Sequence, residues 1–560
     1  MDIMNKIINL SFNLGADHFC NKFEAATKAA SRVNKQVLTD ILQTNQQCEY
    51  GRRYNFVSIT GPEEYKQAVP LTSYDDYEDY IARIGAGEQN ILTAEPIEYF
   101  GLSSGTTGKQ KLIPVTAKAK KIINLSMNFL RQGLLCRALP AARAGGKALM
   151  LMNILDSGRT PVGIPTGAGT SEGMKSMKKM LPYLWTSPIE VMEQKDQQQA
   201  NYLHLLFALQ EKNLAYIVAP FPSGVVQLLK VLENQWSQLV KDIATGTLSD
   251  HLQLAPAVKN SLQQRLKPNP QRAAQLEEQL AQGMEGIVQR IWPRMYYVCC
   301  VLGGSFSIYI DQLKFYTGSL PLFSAVYCAT EALIGMSVKT DDATYVVTPN
   351  TAYFEFIPIE QADTPNPLAL DIDQVEVGHS YEVVVTNYAG FYRYRLGDVI
   401  KVVGHYHTSP VIEFLYRKGQ LLNIAGEKTS ELAVQRALKE TMQEVVQDYT
   451  VKLHLEAAVG NYHFYLEVTN PKDLVNDKTR IREQLELALE QANPRYQVGR
   501  QAGRIAPLVV DLVQPGTFAT LRQLLLQKGA SENQVKIPRL VRDEQLIATL
   551  EANVVQAHSN

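Results

Sequence analysis

Short apolar segments alternate with helical segments along most of this chain, and that alternation restricts its fold more than any other feature. Residues 1–95 are predicted to be helical, as are about 117–139 and most of 223–290. Buried strands are predicted at 147–154, 216–219, 295–302, 322–327, 353–357, 381–386, 398–403 and 411–416. Because helices that alternate with buried strands cover the faces of a sheet, the pattern predicts an α/β fold.

The order of the elements changes after residue 425. A helix at 430–446 precedes two strands at 451–459 and 463–469, and a helix, a strand and a helical tail follow. This order is typical of a separate α+β unit. Since 560 residues also exceed what one hydrophobic core usually serves, we expect two domains, at 1–425 and 426–560.

Charge and cysteine content exclude several classes of protein. The 55 Lys and Arg residues balance the 56 Asp and Glu residues, which leaves no basic excess to bind a nucleic-acid backbone. The 6 cysteines are dispersed, with no CxxC pair and no zinc-site spacing, as in a reducing compartment. No apolar run reaches the ~20 residues that span a bilayer, and the first residues lack a signal-peptide pattern. We therefore expect a cytoplasmic protein without membrane or nucleic-acid partners, and a monomer fits the pattern although no feature sets the oligomeric state.

A hydroxyl-rich loop, SSGTTGKQK at 103–111, is the most informative segment for function. Its glycines permit a tight turn that exposes backbone N–H groups, and its hydroxyls and lysines add donors that can surround phosphate oxygens. A Walker A loop needs four residues between its glycines, whereas two threonines separate Gly105 from Gly108 here. The alternative is an ordinary surface turn. The apolar strand before the loop and the lysines after it favour the phosphate interpretation, and the loop resembles that of acyl-adenylate-forming enzymes.

Two later motifs follow in the order that this resemblance implies. YCATE at 327–331 comes after a predicted strand, and it offers an aromatic ring for a base and a carboxylate for a hard cation. YRYRLGDVI at 392–400 contains a Gly-Asp turn, in which one carboxylate can accept both hydroxyls of a sugar. Taken singly, each motif could be an incidental strand end or turn. The interpretation depends on finding all three in order.

Longer segments of the sequence narrow the resemblance to one family. SSGTTGKQKLIPVT, YCATE and the block NYAGFYRYRLGDVIKVVGHYHTSPVIEFLYRKGQLLNIAGEKTSE resemble the Gretchen Hagen family of acyl-acid amido synthetases, which join plant hormones such as auxins and jasmonates to amino acids. The resemblance covers nearly the whole chain. It implies a large N-terminal domain of mixed sheets flanked by helices, of the acyl-adenylate-forming type. It also implies a smaller α+β C-terminal domain that moves between two reaction steps.

The resemblance implies the reaction and its cofactors as well. ATP and Mg²⁺ would activate a carboxylic acid as an acyl-adenylate with release of pyrophosphate, and an amino acid amine would then displace AMP to form an amide. The partners would be that acid and that amino acid. Departures from the family pattern at Lys109, Cys328 and Glu427 leave the ATP chemistry intact but weaken any inference about which acid binds.

Catalytic and phosphate-binding roles carry over to the matching positions of this sequence. The phosphate ligands would be Ser103, Ser104, Gly105, Thr106, Thr107 and Lys111. Thr330 would contact the α-phosphate and Glu331 would bind Mg²⁺. Lys536, in the tail segment NQVKIPR, would neutralise the negative charge that develops during adenylation, although a solvated surface lysine is the alternative.

The remaining roles concern the nucleoside and the acid. The side chains at adenine, ribose and hinge would be Tyr327, Asp398, Arg417 and Lys428. Arg131, on the helix after the loop, would pair with the substrate carboxylate, with Arg137 as its rival. The rest of the acid pocket is expected among scattered apolar residues within 125–165 and 301–340.

The same motifs fit two further hypotheses. The acyl group could pass from the adenylate to coenzyme A, to a carrier-protein thiol or to another amine, and product analysis would separate these acceptors. A non-catalytic relative could bind nucleotide alone. The joint presence of Thr330, Glu331, Asp398 and Lys536 argues against that second alternative.

Overall fold

Within the residues that it describes, the computed structural model has three sheets before residue 418 and one sheet after it. These residues are 3–102, 111–152, 154, 158–169, 171, 181–418, 422, 424, 427, 429–442, 445–454, 459–528 and 535–556. The strands, in chain order, are β1 (Ile97–Leu102), β2 (Leu112–Thr116), β3 (Ala148–Met150), β4 (Thr166–Gly167), β5 (Tyr216–Val218), β6 (Tyr297–Cys299), β7 (Leu322–Phe323), β8 (Val326–Cys328), β9 (Leu333–Met336), β10 (Thr344–Val347), β11 (Tyr353–Pro358), β12 (Leu370–Asp371), β13 (Ser380–Thr386), β14 (Tyr394–Tyr406), β15 (Ser409–Arg417), β16 (Val446–His454), β17 (Asn461–Val468) and β18 (Val509–Val513).

Helices surround the sheets of the N-terminal part. The α-helices are Ile3–Thr27, Ala30–Asn45, Glu49–Arg53, Pro62–Ala68, Glu78–Gly85, Ala117–Leu125, Arg131–Ala138, Leu181–Leu184, Ile189–Met192, Gln197–Gln210, Pro222–Thr245, Pro256–Arg265, Pro270–Leu280, Ile287–Ile291 and Ile310–Thr317. Short 3-10 segments lie at Phe56–Ser58, Tyr74–Tyr77, Pro140–Ala144 and Gly304–Tyr309. The helix predicted at 117–139 is one run, interrupted by a π-helical turn at Ser126–Leu130. In the described part of the chain, no helix has the length and apolar character needed to cross a membrane.

The sheets confirm the predicted α/β fold. The strands β3-β5-β6-β7 form a parallel sheet, and an eight-stranded sheet has the order β12-β11-β13-β14-β15-β10-β9-β8. A third sheet has the order β2-β1-β4, with β1 antiparallel to β2 and parallel to β4. Each strand predicted before residue 417 overlaps a strand of the structure. The sequence pattern does not predict β2, β4, β9, β10 and β12, because these segments are too short to show a clear periodicity.

The parallel sheet has a different core on each face, because alternate side chains of a strand point in opposite directions. Leu149, Ile217 and Val298 lie in a core that also contains the buried residues of helices Gln197–Gln210 and Pro222–Thr245. Tyr297 and Cys299 lie in a smaller core on the opposite face. The helix Pro222–Thr245 is followed by Gly246, whose φ of 68° is one that side-chain-bearing residues rarely adopt. Proline at the first turn and glycine just past the last are common helix boundaries.

The C-terminal part has the α+β order that the sequence predicts. Its sheet is β16-β17-β18, with β17 antiparallel to β16 and parallel to β18. Its helices are Glu431–Met442, Pro471–Leu474, Val475–Asp477 (a 3-10 turn), Lys478–Ala492, Pro494–Gln501, Thr517–Gln527 and Glu544–Ala552. Residues 539–541 run beside β16, where the Val451 N–H donates to the Arg539 carbonyl at 2.9 Å and the Val541 N–H donates to the Val451 carbonyl at 2.9 Å. The tail segment is therefore fixed to the C-terminal sheet.

Candidate active site

Asp398, in the YRYRLGDVI motif, is hydrogen-bonded to Tyr327 of the YCATE motif. It lies on β14 directly opposite Arg417 of β15, and Arg417 Nε donates to Asp398 Oδ1 at 2.5 Å. The hydroxyl of Tyr327, on β8, donates to the other oxygen, Oδ2, at 2.7 Å. The negative charge of Asp398 raises the pKa of Arg417 above its usual range. Because each oxygen of an ionised carboxylate can accept more than one hydrogen bond, Asp398 keeps acceptor capacity for a further ligand.

The YCATE motif occupies the end of β8 and the turn that leads to β9. Thr330, in this turn, lies against β1: a Cβ atom placed on Gly101 would be 2.6 Å from Thr330 Cγ2. No real Cβ tolerates so short a contact, so glycine is required there unless the threonine moves. Thr330 is therefore adjacent to the strand that leads into the hydroxyl-rich loop.

The predicted phosphate loop connects the two strands of a hairpin. The antiparallel strands β1 and β2 pair Leu102 with Leu112 at its base. Most of its candidate ligands, and the predicted hinge lysine, lie outside the described residues: Ser103, Ser104, Gly105, Thr106, Thr107 and Lys428. Lys111 is described, and its Nζ lies 4.9 Å from the centre of the Tyr74 ring. Its positive charge also acts on Glu331, since it opposes the rise in the pKa of that carboxyl group.

Glu331 has an environment that disfavours its charged form. Burial raises the pKa of its carboxyl group, and this effect exceeds the opposing effects of Arg417 and Lys111. The Tyr394 hydroxyl donates a weak hydrogen bond to Oε1 at 3.4 Å, and a backbone N–H of Glu331 itself also lowers the pKa of the carboxyl group against the effect of burial. A neighbouring cation would stabilise a carboxylate in these surroundings.

The described side chains around Glu331 do not form a complete metal site by themselves. Among the described residues, no group of three or more His, Cys, Asp or Glu side chains could hold a metal ion. Mg²⁺ often takes one or two carboxylates and completes its shell with phosphate oxygens and water. Glu331 fits a cation that is shared with a bound nucleotide, and it does not fit a metal site made of protein groups alone.

Lys536 lies between the N-terminal and C-terminal parts. Its Nζ is 4.9 Å from the centre of the Phe221 ring and 5.0 Å from that of Phe306, and these two rings stack with centroids 4.3 Å apart. The pair forms an aromatic platform for the ammonium group. Part of the side chain remains exposed. The crowded cleft, together with the positive charge of Arg417, lowers the pKa of Lys536 to about 8, against an opposing effect of Asp398. The tail lysine therefore lies close to the Asp398–Arg417 pair.

Arg131 and its rival Arg137 have different surroundings. Arg131 Nε donates to the Met127 carbonyl at 2.9 Å, and Nη1 lies 3.9 Å from the sulfur of Cys299. Burial would lower the pKa of Arg131, but Tyr297 and Cys299 outweigh this effect and raise it. It forms no ion pair with any carboxylate of the described segments. Because no described carboxylate balances its positive charge, an anionic ligand would be stabilised beside it.

Arg137 is paired at the protein surface. Its Nη1 lies 2.6 Å from Oε1 of Glu24, and its Nη2 donates to Asn21 Oδ1 at 3.2 Å. Both partners belong to the first helix, Ile3–Thr27. Arg137 thus already has a carboxylate partner, which favours Arg131 as the residue that binds a substrate carboxylate.

The sequence motifs do not single out every residue that the structure brings to this site. Phe221 and Phe306, under Lys536, occupy separate apolar segments and carry no signal in the sequence. Tyr394 could have been found, because it stands on the same face of β14 as Asp398. The arginines of the third motif point the other way: Arg393 and Arg395 form ion pairs with Glu355 and Glu382, at 2.9 and 2.5 Å, and thus have structural roles.

Known proteins resemble this chain over nearly its whole length. Residues 19–322, 345–417 and 431–545 match the N-terminal, central and C-terminal domains of the GH3 family. The indole-3-acetic acid-amido synthetase GH3.3 of Arabidopsis thaliana is 33% identical over 565 residues, which cover 96% of this chain and 93% of the relative. The jasmonoyl-L-amino acid synthetase GH3.5 of Oryza sativa subsp. japonica is 31% identical over 577 residues, which cover 96% and 97%.

Solved structures give the same result. The AtGH3.15 acyl acid amido synthetase in complex with 2,4-DB aligns with a TM-score of 0.85 and 30% identity, over 96% of this chain and 97% of that one. A 2-hydroxyisobutyryl-CoA ligase in the postadenylation state aligns with a TM-score of 0.54 and 11% identity, over 94% and 91%. The second match concerns the fold alone. These alignments confirm the predicted fold, a large N-terminal domain with a smaller C-terminal domain.

Proposed function

The chain belongs to the GH3 family, and we propose that it is an ATP-dependent acyl acid amido synthetase that adenylates a carboxylic acid and transfers the acyl group to an amino acid. The observation that carries the proposal is the meeting of residues from distant motifs around Asp398. Tyr327 and Arg417 donate to its two oxygens, and Lys536 lies close enough for the Asp398–Arg417 pair to act on its pKa. These are the aromatic, acidic and basic groups that a nucleotide requires.

In the first step, an oxygen of the acid's carboxylate attacks the α-phosphorus of ATP and pyrophosphate leaves. Asp398 would accept the ribose hydroxyls, while the Tyr327 ring would lie against adenine. Thr330 would donate to the α-phosphate. Lys536 would place its positive charge beside the phosphate oxygens, where negative charge increases in the transition state. Lys111 and Arg417 would add to the positive field around the phosphates.

The loop that the structure leaves undescribed would hold the outer phosphates. Its candidate ligands are Ser103, Ser104, Gly105, Thr106 and Thr107. Support comes from the described strands that flank the loop, since β1 and β2 pair at its base and Gly101 of β1 is adjacent to Thr330. Lys428 would act on the phosphate or ribose from the hinge, as its position in the motif block implies.

A magnesium ion fits the remaining negative charge. When bound, Mg²⁺ would neutralise phosphate charge and polarise the phosphoryl oxygens. Glu331 would be its protein ligand, because desolvation disfavours the charged form of its carboxylate despite the nearby charges of Arg417 and Lys111. Such a carboxylate gains more from a cation than a solvated one does.

Arg131 would hold the acid before it reacts. Its partly buried guanidinium pairs with no carboxylate of the described residues, and the acid would supply one. After adenylation, the amine nitrogen of the amino acid attacks the acyl carbon, the bond from that carbon to the AMP oxygen breaks, and the amine loses a proton. AMP and the amide are the products.

We also propose a domain boundary at 425/426 and a cytoplasmic location. The boundary is supported by the separate C-terminal sheet and by a core in which residues of β16, β17 and β18 meet. The location is supported by the six free cysteines, five of which are buried.

Acid-dependent ATP–pyrophosphate exchange tests the proposal. Exchange is measured without any amine against indolic, small aromatic and aliphatic acids, and amino acids are then added to the active acid. The expected result is exchange with one class of acid, followed by an amide and AMP in equal amounts by mass spectrometry. The variant Asp398→Ala controls for contaminating ligases. The proposal fails if ATP binds but no acid supports exchange, or if coenzyme A rather than an amine accepts the acyl group.

A further inference from the structure

One short turn of the N-terminal part contacts the C-terminal part directly. The 3-10 segment Gly304–Tyr309, here called the docking turn, follows β6 and continues into helix Ile310–Thr317. Its Ser307 hydroxyl donates to Gln435 Oε1 at 2.8 Å, and its Tyr309 hydroxyl donates to Asp448 Oδ2 at 2.8 Å. It also supplies one ring of the aromatic platform under the tail lysine. Three contacts from a single turn make it a specific docking element rather than a general surface.

Asp448 joins this turn to the tail. While Oδ2 accepts from Tyr309, Oδ1 pairs with Arg539, whose Nη1 also donates to the Tyr449 carbonyl at 2.6 Å. Arg539 also forms a second ion pair, in which its Nε lies 3.3 Å from Glu431 Oε1. The exposed fractions of the Arg539, Asp448 and Glu431 side chains are 10%, 13% and 9%, so the network is largely shielded from water. In such surroundings a lost partner is costly, and the network strongly favours one arrangement.

Arg539 links this network to the reaction. It stands three residues after Lys536 in the sequence, and its carbonyl accepts the hydrogen bond from β16 that fixes the tail. The position of Arg539 therefore sets where Lys536 can reach. The hydrogen bond from Tyr309 to Asp448 therefore acts on Lys536 through two connections. The first is the Asp448–Arg539 ion pair, and the second is the backbone pairing of residues 539–541 with β16.

We propose that Tyr309 is a positioning residue for adenylation, which holds Asp448, and through it the tail that carries Lys536, against the nucleotide site. This inference rests on the proposed function, together with the movement of the C-terminal domain between the two steps that the family resemblance implies. Tyr309 touches no reacting group. The hydrogen bond from Tyr309 to Asp448 is present when Lys536 lies close to Asp398. Adenylation should therefore depend on this hydrogen bond, and amide formation should not.

The test separates the two half-reactions. Tyr309→Phe keeps the ring and removes the hydroxyl, while Asp448 keeps its ion pair with Arg539. We expect ATP–pyrophosphate exchange to fall about tenfold in kcat with an unchanged KM for ATP, since hydrogen bonds to charged groups have effects of this size. Amide formation from a chemically prepared acyl-adenylate and an amino acid should keep its wild-type rate.

A surface pair provides the matched control. Lys439 and Asp311 also join the two parts, with Nζ and Oδ2 3.4 Å apart, but their side chains are 76% and 53% exposed. Pairs of this kind contribute little, so Lys439→Ala should leave both half-reactions unchanged. An equal loss in both half-reactions of Tyr309→Phe would show a merely structural role, and no loss in either would show that the bond is dispensable. Each result overturns the proposal.

Hydrogen exchange gives a second measurement that does not require activity. In Tyr309→Phe, the backbone amides of 535–541 should exchange faster than in the wild type, and in Lys439→Ala they should not. Unchanged exchange in Tyr309→Phe overturns the positioning role. Absence of pyrophosphate exchange in the wild-type protein would instead count against the proposed function, so the two failures remain distinguishable.

Discussion

The ionisation of Lys536 should set the alkaline limit of adenylation. The crowded surroundings of this partly exposed lysine and the positive charge of Arg417 lower its pKa from 10.5 to about 8. The protonated form is the active one, because its role is to neutralise negative charge on the phosphates. Activity that depends on it should therefore be complete well below pH 8, reach half its maximum near pH 8 and decline further as the pH rises. One pH unit above the pKa, about a tenth of the molecules keep the charge, so kcat/KM should fall about tenfold between about pH 6.5 and about pH 9.

Two parameters should respond differently. The pH dependence of kcat/KM for ATP reports the pKa of the free enzyme, whereas that of kcat reports the pKa of the complex. Bound phosphates favour the protonated lysine, since an opposite charge nearby raises the pKa of an amine. The decline in kcat should therefore begin at a higher pH than the decline in kcat/KM.

The assay is ATP–pyrophosphate exchange from pH 6.5 to 10, run without an amine so that no substrate amino group titrates. The neighbouring tyrosines ionise outside this range, because burial raises the pKa values of Tyr327 and Tyr394 well above their usual range. Lys536→Arg keeps its charge at every pH tested. A flat wild-type kcat/KM profile, or the same alkaline decline in Lys536→Arg, would refute the assignment.

Three other variants test separate contacts. Glu331→Gln should raise the Mg²⁺ concentration needed for half-maximal exchange, and an unchanged magnesium titration would contradict its role as a ligand. Arg131→Met should raise the KM for the acid about tenfold or more with little change in the KM for ATP, whereas Arg137→Met, at the surface, should change neither. Gly101→Ala should lower exchange about tenfold, because the added Cβ meets the Thr330 methyl group at 2.6 Å. A second substitution, Thr330→Ser, removes that methyl, keeps the hydroxyl and should recover most of the loss; no recovery would place the strain elsewhere.

Much of the candidate site could be predicted because its motifs are local. The Asp398–Arg417 ion pair could also have been predicted from the sequence. The strands β14 and β15 pair Tyr406 with Ser409 around a two-residue turn, and counting back from that turn brings Asp398 opposite Arg417. The two register shifts between these points compensate each other. Once the turn is located, the ion pair follows from strand geometry.

Contacts between the two parts of the chain could not be predicted in this way. Tyr309 and Asp448 are 139 positions apart, and each lies in an element that is complete without the other. Neither periodicity nor turn chemistry indicates how such elements dock, because docking depends on the shape of the assembled surfaces. The short strands β9 and β10 were beyond prediction for a related reason: their pairing with β8 and β15 decides their conformation more than their own composition does.

Two charged groups of the site have an electrostatic cost that the protein alone does not offset, and a third lacks a carboxylate partner among the described residues. The ammonium of Lys536 has a lowered pKa, the carboxyl of Glu331 has a raised pKa, and the partly buried guanidinium of Arg131 pairs with no described carboxylate. The ion pair Arg395–Glu382 shows that this chain can satisfy charges where no ligand is needed, since the hydrogen bond to Glu382 raises the pKa of Arg395 above its usual range. Phosphate, a divalent cation and a carboxylate would supply the three missing partners. The pattern is that of a site whose charges are arranged for its substrates, because a group already satisfied by the protein would gain less from binding them.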